Sequence, residues 1–383
     1  MKFEGSSAIS KGLGNALETI SDVGSLPLIR GQWYFVDPTS GADTSDGRTI
    51  DTAVASLVRA YAKAADGDGI ALLSYGATSA ATTSYIYQNL AWAKNGITVV
   101  GVAAPVAMGG RARVANKTIV STVAMTAVAD TSLTRATGSF LTDGWAVGMQ
   151  FITNVNAVAL TVATVTATVI TITSGTLTVG AHTAVTSVLP TMLTVSGANN
   201  RFYNVHFYNG GTNALEIGGV AVSGERNYFE GCHIVGGAGA ATSANNNSLT
   251  LTGSECTFRD CVIGTNTFAQ GDNAAAEIIL SGTVKRNKFI DCEIVGMVSA
   301  GTAHGAVKSV STSGGTGTVF KNCLFNYALS TATPADVHIV SGSVDEIICM
   351  DCAAAQVTGW GASVYANMPA TAASAAGGLM TTE

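Results

Sequence analysis

Two aspartates 31 residues apart, Asp260 and Asp291, are the strongest candidates for chemistry in this 383-residue chain. They occupy equivalent positions of a repeated pattern. If the repeats stack as coils of parallel strands, equivalent residues lie about 4.8 Å apart. That is close to the roughly 5–5.5 Å between the carboxyl groups of a retaining glycosidase. The same position reads Asn204, Gly231, Asp260, Asp291, Asn322 and Asp351 along the chain. Asn, Asp and Gly are the residue types that tolerate the left-handed backbone best, so the column also reads as a repeated corner. A corner accounts for all six members and hydrolysis for two. No catalytic residue is therefore assigned, and Asp260 with Asp291 stands as the alternative.

Other constellations are weaker. His206 and His233 share a repeat position and would stack on neighbouring rungs, as an exposed pair or as a two-histidine metal site. His182, His304 and His338 are scattered. Cys349-x-x-Cys352 lacks a second pair at zinc spacing. Asp37, Asp43 and Asp46 could hold calcium, or could satisfy the backbone of their own turn. Lys285, Arg286 and Lys288 precede the Asp291 rung, but no acidic cluster accompanies them as a metal-assisted polysaccharide lyase would need. Gly109-Gly110-Arg111-Ala112-Arg113 is a local basic spot that reads as a salt-bridged loop or an oligomer contact. There is no phosphate-binding loop, dinucleotide fingerprint or nucleophile elbow. No cofactor and no metal are expected.

The element that must position these residues is a repeat. An aromatic, two variable residues, Cys or Val, one variable residue and a large apolar recur as Phe202-Val205-Phe207, Phe229-Cys232-Ile234, Phe258-Cys261-Ile263, Phe289-Cys292-Ile294 and Phe320-Cys323-Phe325. A degenerate copy is Cys349-Cys352-Ala354, and the copies start 27, 29, 31, 31 and 29 residues apart. A near-constant period in this range marks stacked repeats. Thr, Val, Ile, Asn and Gly in each unit favour strands and turns. A single coil cannot bury its own apolar side chains, but a stack of coils can. The spacing predicts a parallel β-helix with the Phe and Cys columns inside.

Composition agrees. Hydrophobic residues make up 47% and charged residues 11%, against about 25% charged in ordinary globular domains. A formal charge of −6 gives no general attraction to nucleic acid or anionic membrane. No secretory leader and no apolar run long enough to cross a membrane are present. Five of the seven cysteines share one repeat column, so they read as buried thiols in a reducing compartment.

Five segments follow. Residues 1–30 read as a polar arm. Residues 31–120 hold a strand (Gln32–Val36), a turn, a helix over about 51–65 and the first coils; the helix would cover the open end of the solenoid. Residues 121–190 abandon the repeat for dense Thr/Val alternation, predicting antiparallel strands of a small inserted barrel or sandwich. Residues 191–354 are the main coils. Residues 355–383 form an irregular apolar tail.

Residues 33–73, YFVDPTSGADTSDGRTIDTAVASLVRAYAKAADGDGIALL with its preceding Trp33, resemble the N-terminal module of pectate-lyase-like right-handed β-helix proteins. Thr134 to Met149, TRATGSFLTDGWAVGM, resembles a short module of tailed-phage virion proteins, with Met149 where that pattern has Asp. The resemblance implies a single-stranded right-handed parallel β-helix, all-β, with a capping helix and an inserted β-module. It also implies a virion protein assembled in the host cytoplasm, with phage capsid or tail proteins as partners, and a homotrimer. A non-enzymatic capsid decoration or vertex role is the leading expectation. The alternative is a tailspike depolymerase or receptor-binding fibre that recognises host-surface glycan. None of the four Trp lies between residues 200 and 354, which disfavours a Trp-lined sugar platform there.

Overall fold

The computed structural model describes residues 29–73, 83–102, 111–173, 175–210, 215–216, 218–236, 247–267, 276–298, 305–310, 317–329, 337–340, 347–355 and 364–366. Most of them wind into three parallel sheets. Sheet A has ten strands from Trp33–Val36 to Val364–Ala366, sheet B has eight from Ser84–Ile86 to Ala353–Ala355, and sheet C has seven from Leu90–Trp92 to His338–Val340. Each coil runs A to B to C. The fold is a right-handed parallel β-helix: the repeat spacing predicts the stacked parallel coils, and the resemblance of residues 33–73 implies their hand.

Strand register aligns like with like. Phe202 pairs with Phe229, Phe229 with Phe258, Phe258 with Phe289, and Phe289 with Phe320. All five rings are buried, as are Cys232, Cys261, Cys292 and Cys323. Burying each ring contributes about 1.5–3 kcal/mol before packing is counted.

Helix α1 is shorter than the periodicity predicts. It spans Leu57–Lys63, with Ser56 as N-cap. Residues 51–56 are held out of it because Val54 pairs with Val36 as an isolated bridge, its N–H bonded to Phe35 O at 2.9 Å. A tertiary strand contact here overrides a helical pattern. The far end of α1 is closed by Lys94, whose Nζ donates to the carbonyls of Tyr61 and Ala64, each at 2.5 Å. Tyr61 stacks on Trp92 at 4.3 Å, so α1 does close over the first coil.

Between the sheet B strand Ala112–Asn116 and the sheet C strand Thr191–Val195, the chain leaves the solenoid. Eight antiparallel strands from Val120–Ser121 to Val185–Val188 build a second body around its own core, including Phe140, Trp145, Phe151 and Ile170. Gly180–His182 is one edge strand of this sheet and Val120–Ser121, next to Val185–Val188, is the other. Two residues join Gly180–His182 to Val185–Val188, so the sheet curls round its core as an open barrel. Helix α2, Phe140–Asp143, plugs the end nearest the solenoid, where Gly144 lies against Ile119.

The repeat does not stop at Ala354, as the fading pattern suggests. Val364–Ala366 pairs with Ile347–Cys349 and adds a further strand to sheet A. The polar arm to residue 28, the tail beyond Ala366, Gly109, Gly110, His304 and Trp360 lie outside the described residues. Among the described residues no helix is long and apolar enough to cross a membrane.

Candidate functional site

The A–B corner is where the sequence concentrates its acids. Asn204, Asp260, Asp291, Asn322 and Asp351 have φ between 50° and 55°, and Gly231 has 61°. Each is a single left-handed residue that turns the chain from sheet A into sheet B. The corner is stitched rung to rung: Asn204 N donates to Glu230 O, Gly231 N to Arg259 O, Asp260 N to Ile290 O and Asp291 N to Lys321 O, at 2.9–3.0 Å. Asn322 Nδ2 donates to Asp291 Oδ1 at 2.8 Å, and Asn204 Nδ2 to Gly101 O at 3.0 Å. Asp260 and Asp291 are exposed on this ridge. The left-handed turn accounts for every member of the column, and it leaves the two carboxylates exposed on the corner.

Behind the corner, the five Phe rings stack at 4.5–4.8 Å and within 11° of parallel. The thiol of Cys232 donates to Phe202 O at 3.4 Å, and Cys261, Cys292 and Cys323 repeat that contact one rung on. Burial pushes the Cys256 thiol up to about 11, which keeps it protonated and inert.

His206 and His233 stack at 4.4 Å on the outer face of sheet B, half-buried where the spacing suggested exposure. Burial first, then His233, Arg113 and Arg111, lowers His206 to about 3. His233 Nε2 lies 2.9 Å from Gly264 O, whereas His206 Nε2 is buried without a partner. Among the described residues the basic spot forms no ion pair: Arg113 stacks over Tyr208 at 4.5 Å, and Arg111 Nε donates to Gly231 O.

The turn aspartates serve the backbone. Asp37 accepts from Thr39 N and Ser40 N, Asp43 from Ala55 N and Ser56 N, and Asp46 from Arg48 N and Thr52 Oγ1. Among the described residues no group of three His, Cys, Asp or Glu is placed to hold a metal ion.

Two features escape the repeat spacing. At the C–A corner, a second ladder runs inside the wall. Asn227 Oδ1 accepts from Asn200 N and Asn287 Oδ1 from Cys256 N, with Nδ2 of Asn227 and Asn287 on Gly197 O and Gly253 O. Its only sequence signal is Gly-x-x-Asn at Gly197 and Gly224, lost at Cys256. Outside it, Glu255 joins Arg226 (2.7 Å) to Arg286. On the outer face of sheet A, Tyr203 and Tyr228 lie 5.8 Å apart, and Tyr228 Oη donates to Glu230 Oε2 at 2.7 Å.

The barrel motif is also structural. Arg135 is buried, and its guanidinium meets Asp143 Oδ2 at 2.5 Å, Thr137 O at 2.7 Å and the Phe140 ring at 4.7 Å. Ser121 Oγ donates to the same Asp143 oxygen and accepts from Trp145 Nε1 at 3.0 Å. Ser121 and Arg135 hold the Asp143 carboxyl below its usual value. A Cβ at Gly138 would strike the Arg135 guanidinium, and Gly144 takes φ 98° to end α2. Met149 is buried, and its sulfur accepts from Ala146 N at 3.2 Å, so the departure from the phage pattern keeps a turn acceptor at that place.

No family model matches the chain, and no curated protein matches it. Solved structures align with it at low identity and low TM-score. Pectin methylesterase from Aspergillus niger is 12% identical over 91% of this chain and 83% of that one, with a TM-score of 0.43. Pectate lyase Pel9A is 12% identical over 90% and 82%, with a TM-score of 0.38. The tailspike protein gp49 from Pseudomonas phage LKA1 is 14% identical over 76% and 62%, with a TM-score of 0.27.

Proposed function

We propose that the chain is a non-enzymatic structural protein of a tailed-bacteriophage particle, a homotrimer that decorates the capsid by docking on capsid subunits. The observation that carries this reading is the distribution of exposed apolar side chains. Among the described residues, seven of the ten exposed large hydrophobics belong to the inserted barrel or its first strand. Four of them, Val128 (70% exposed), Val155 (46%), Val158 (73%) and Val179 (62%), occur near the end farthest from the solenoid. That tip is held in shape: Asn156 bonds Thr176 O and Thr178 N across two loops, and His182 bridges Thr153 Oγ1 and Thr178 O. A rigid apolar tip is suited to binding another protein. The corner acids, meanwhile, are occupied with turning the chain.

A second reading has one observation in its favour. Tyr203, Tyr228 and Glu230 form an aromatic and carboxylate patch on the outer face of sheet A, which suits a tailspike or receptor-binding fibre that recognises host-surface glycan. Two experiments separate the readings. Imaging of labelled particles should find the protein on the head, with Val128→Asp/Val179→Asp lost from particles while remaining folded. Release of oligosaccharide from host capsule or lipopolysaccharide, abolished by Asp260→Asn or Asp291→Asn, would overturn the non-enzymatic assignment.

A further inference from the structure

The two flanks of the A–B corner carry opposite charges at two heights. The outward residue before the corner, on the sheet A side, reads Tyr203, Glu230, Arg259, Ile290, Lys321 and Met350. The outward residue after it, on the sheet B side, reads His206, His233, Val262, Glu293, Leu324 and Ala353.

At the Gly231 coil, the A side presents Glu230. Arg111, reaching up from an earlier coil to the Gly231 carbonyl, covers the B side. At the Asp291 coil the polarity is reversed. Glu293 stands on the B side, while Arg259, Lys288 and Lys321 surround that height on the A side. Among the described residues none of these six forms an ion pair. Their own hydrogen bonds are few: Tyr228 to Glu230, Asn326 to Glu293 at 3.0 Å, and Arg111 to Gly231 O.

Higher up, the flanks turn apolar. Leu324 (38% exposed) on the B side and Met350 (39%) on the A side are two of the three exposed large hydrophobics outside the barrel among the described residues.

We propose that this corner is a self-docking surface. The sheet A flank of one copy packs on the sheet B flank of the next, with solenoid axes parallel and coils at equal height, in a closed ring. That arrangement sets Glu230 against Arg111 of the neighbour, and Glu293 against Arg259, Lys288 and Lys321 of the other neighbour. Leu324 and Met350 come together above them. Each contact is heterologous, so the pattern must close by rotation, which equal coil heights allow. A contact of A flank on A flank at equal heights would pair like with like and is disfavoured; an antiparallel two-fold contact of A flank on A flank pairs opposites and would give a dimer, so a wild-type dimer would overturn the ring. Asp260, Asp291 and Asp351 are exposed at the corner itself, so contact falls on the two flanks and the acid column lines a solvated seam along the axis. The inference names the surface behind the homotrimer in the proposed function, and its charge pattern stands apart from any particle.

Native mass spectrometry and light scattering of the full chain test it. The wild type should be a trimer, and Glu293→Lys should weaken assembly about tenfold or more by replacing attraction with repulsion. Glu293→Lys combined with Lys288→Glu and Lys321→Glu should recover assembly, because the A flank then carries a net negative charge opposite the new lysine. Thermal melting checks that each variant is folded. A folded wild-type monomer at micromolar concentration would overturn the proposal. So would an oligomer whose stability ignores Glu293→Lys, which would leave a trimer standing on some other face.

Discussion

In the solenoid the Phe rings lie face to face, 4.5–4.8 Å apart; in the barrel, Trp145 and Phe151 meet edge to face at 5.9 Å and 82°. The solenoid sets each residue on its equivalent in the next coil, so its core is a set of columns joined by neighbour contacts. The barrel curls one antiparallel sheet around a single core, and one polar lock, Arg135–Asp143–Ser121, ties its helix to its wall. The difference teaches that damage should stay local in the first body and spread in the second.

Acid offers the largest contrast. His206 titrates at about 3 in the folded chain, below its ordinary 6.5. The unfolded state therefore takes up the proton first, so the stabilisation is complete above pH 6.5 and disappears as pH falls towards 3. The cost is on the order of 4–5 kcal/mol. Asp143 is also depressed, from 3.8, so the barrel loses its share only below that value. Amide hydrogen exchange across pH 7 to 4 should show the coils around His206 weakening before the barrel. His206→Phe should reduce the effect, leaving the part that belongs to His233, which burial also lowers, and simultaneous loss of both bodies would break the comparison.

Side-chain deletions come next. Phe258→Ala should cost about 4 kcal/mol, since it empties the middle of the stack, with lost exchange protection centred on the neighbouring coils. Asp143→Ala should cost about 3 kcal/mol because it strands the buried Arg135, and the whole barrel should lose protection together. Protection lost only near residue 143 would contradict the single-core description. The smallest effect belongs to the corner: Asp260→Ala should cost about 1–2 kcal/mol in denaturant melts, the strain of a left-handed residue, while Asp260→Asn should be nearly neutral.

How much was legible depends on how local each signal is. The Phe, Cys and corner columns recur at 27 to 31 residues, so the coils and the A–B corner could be found by counting. Dense Thr/Val alternation marked the inserted strands. The helix boundary was misread because Val54 answers to Val36 and not to its helical neighbours. The Asn200–Asn227 ladder was missed because it skips to Cys256 and resumes at Asn287 after a longer loop. His206 could be aligned with His233, but its burial depends on Arg113, Tyr208 and the packing of the outer face.

By itself, then, the sequence determined the repeating unit: which residues point inward, which take the left-handed turn, and that a second body interrupts the coils. Those properties follow from backbone sterics and side-chain alternation within about thirty residues of chain. Only the tertiary structure decided that the inserted sheet curls round one core, that Arg135 locks onto Asp143, and that Arg111 reaches the Gly231 carbonyl. Such relations are set by strand register and sheet curvature between distant segments, and no local pattern records them.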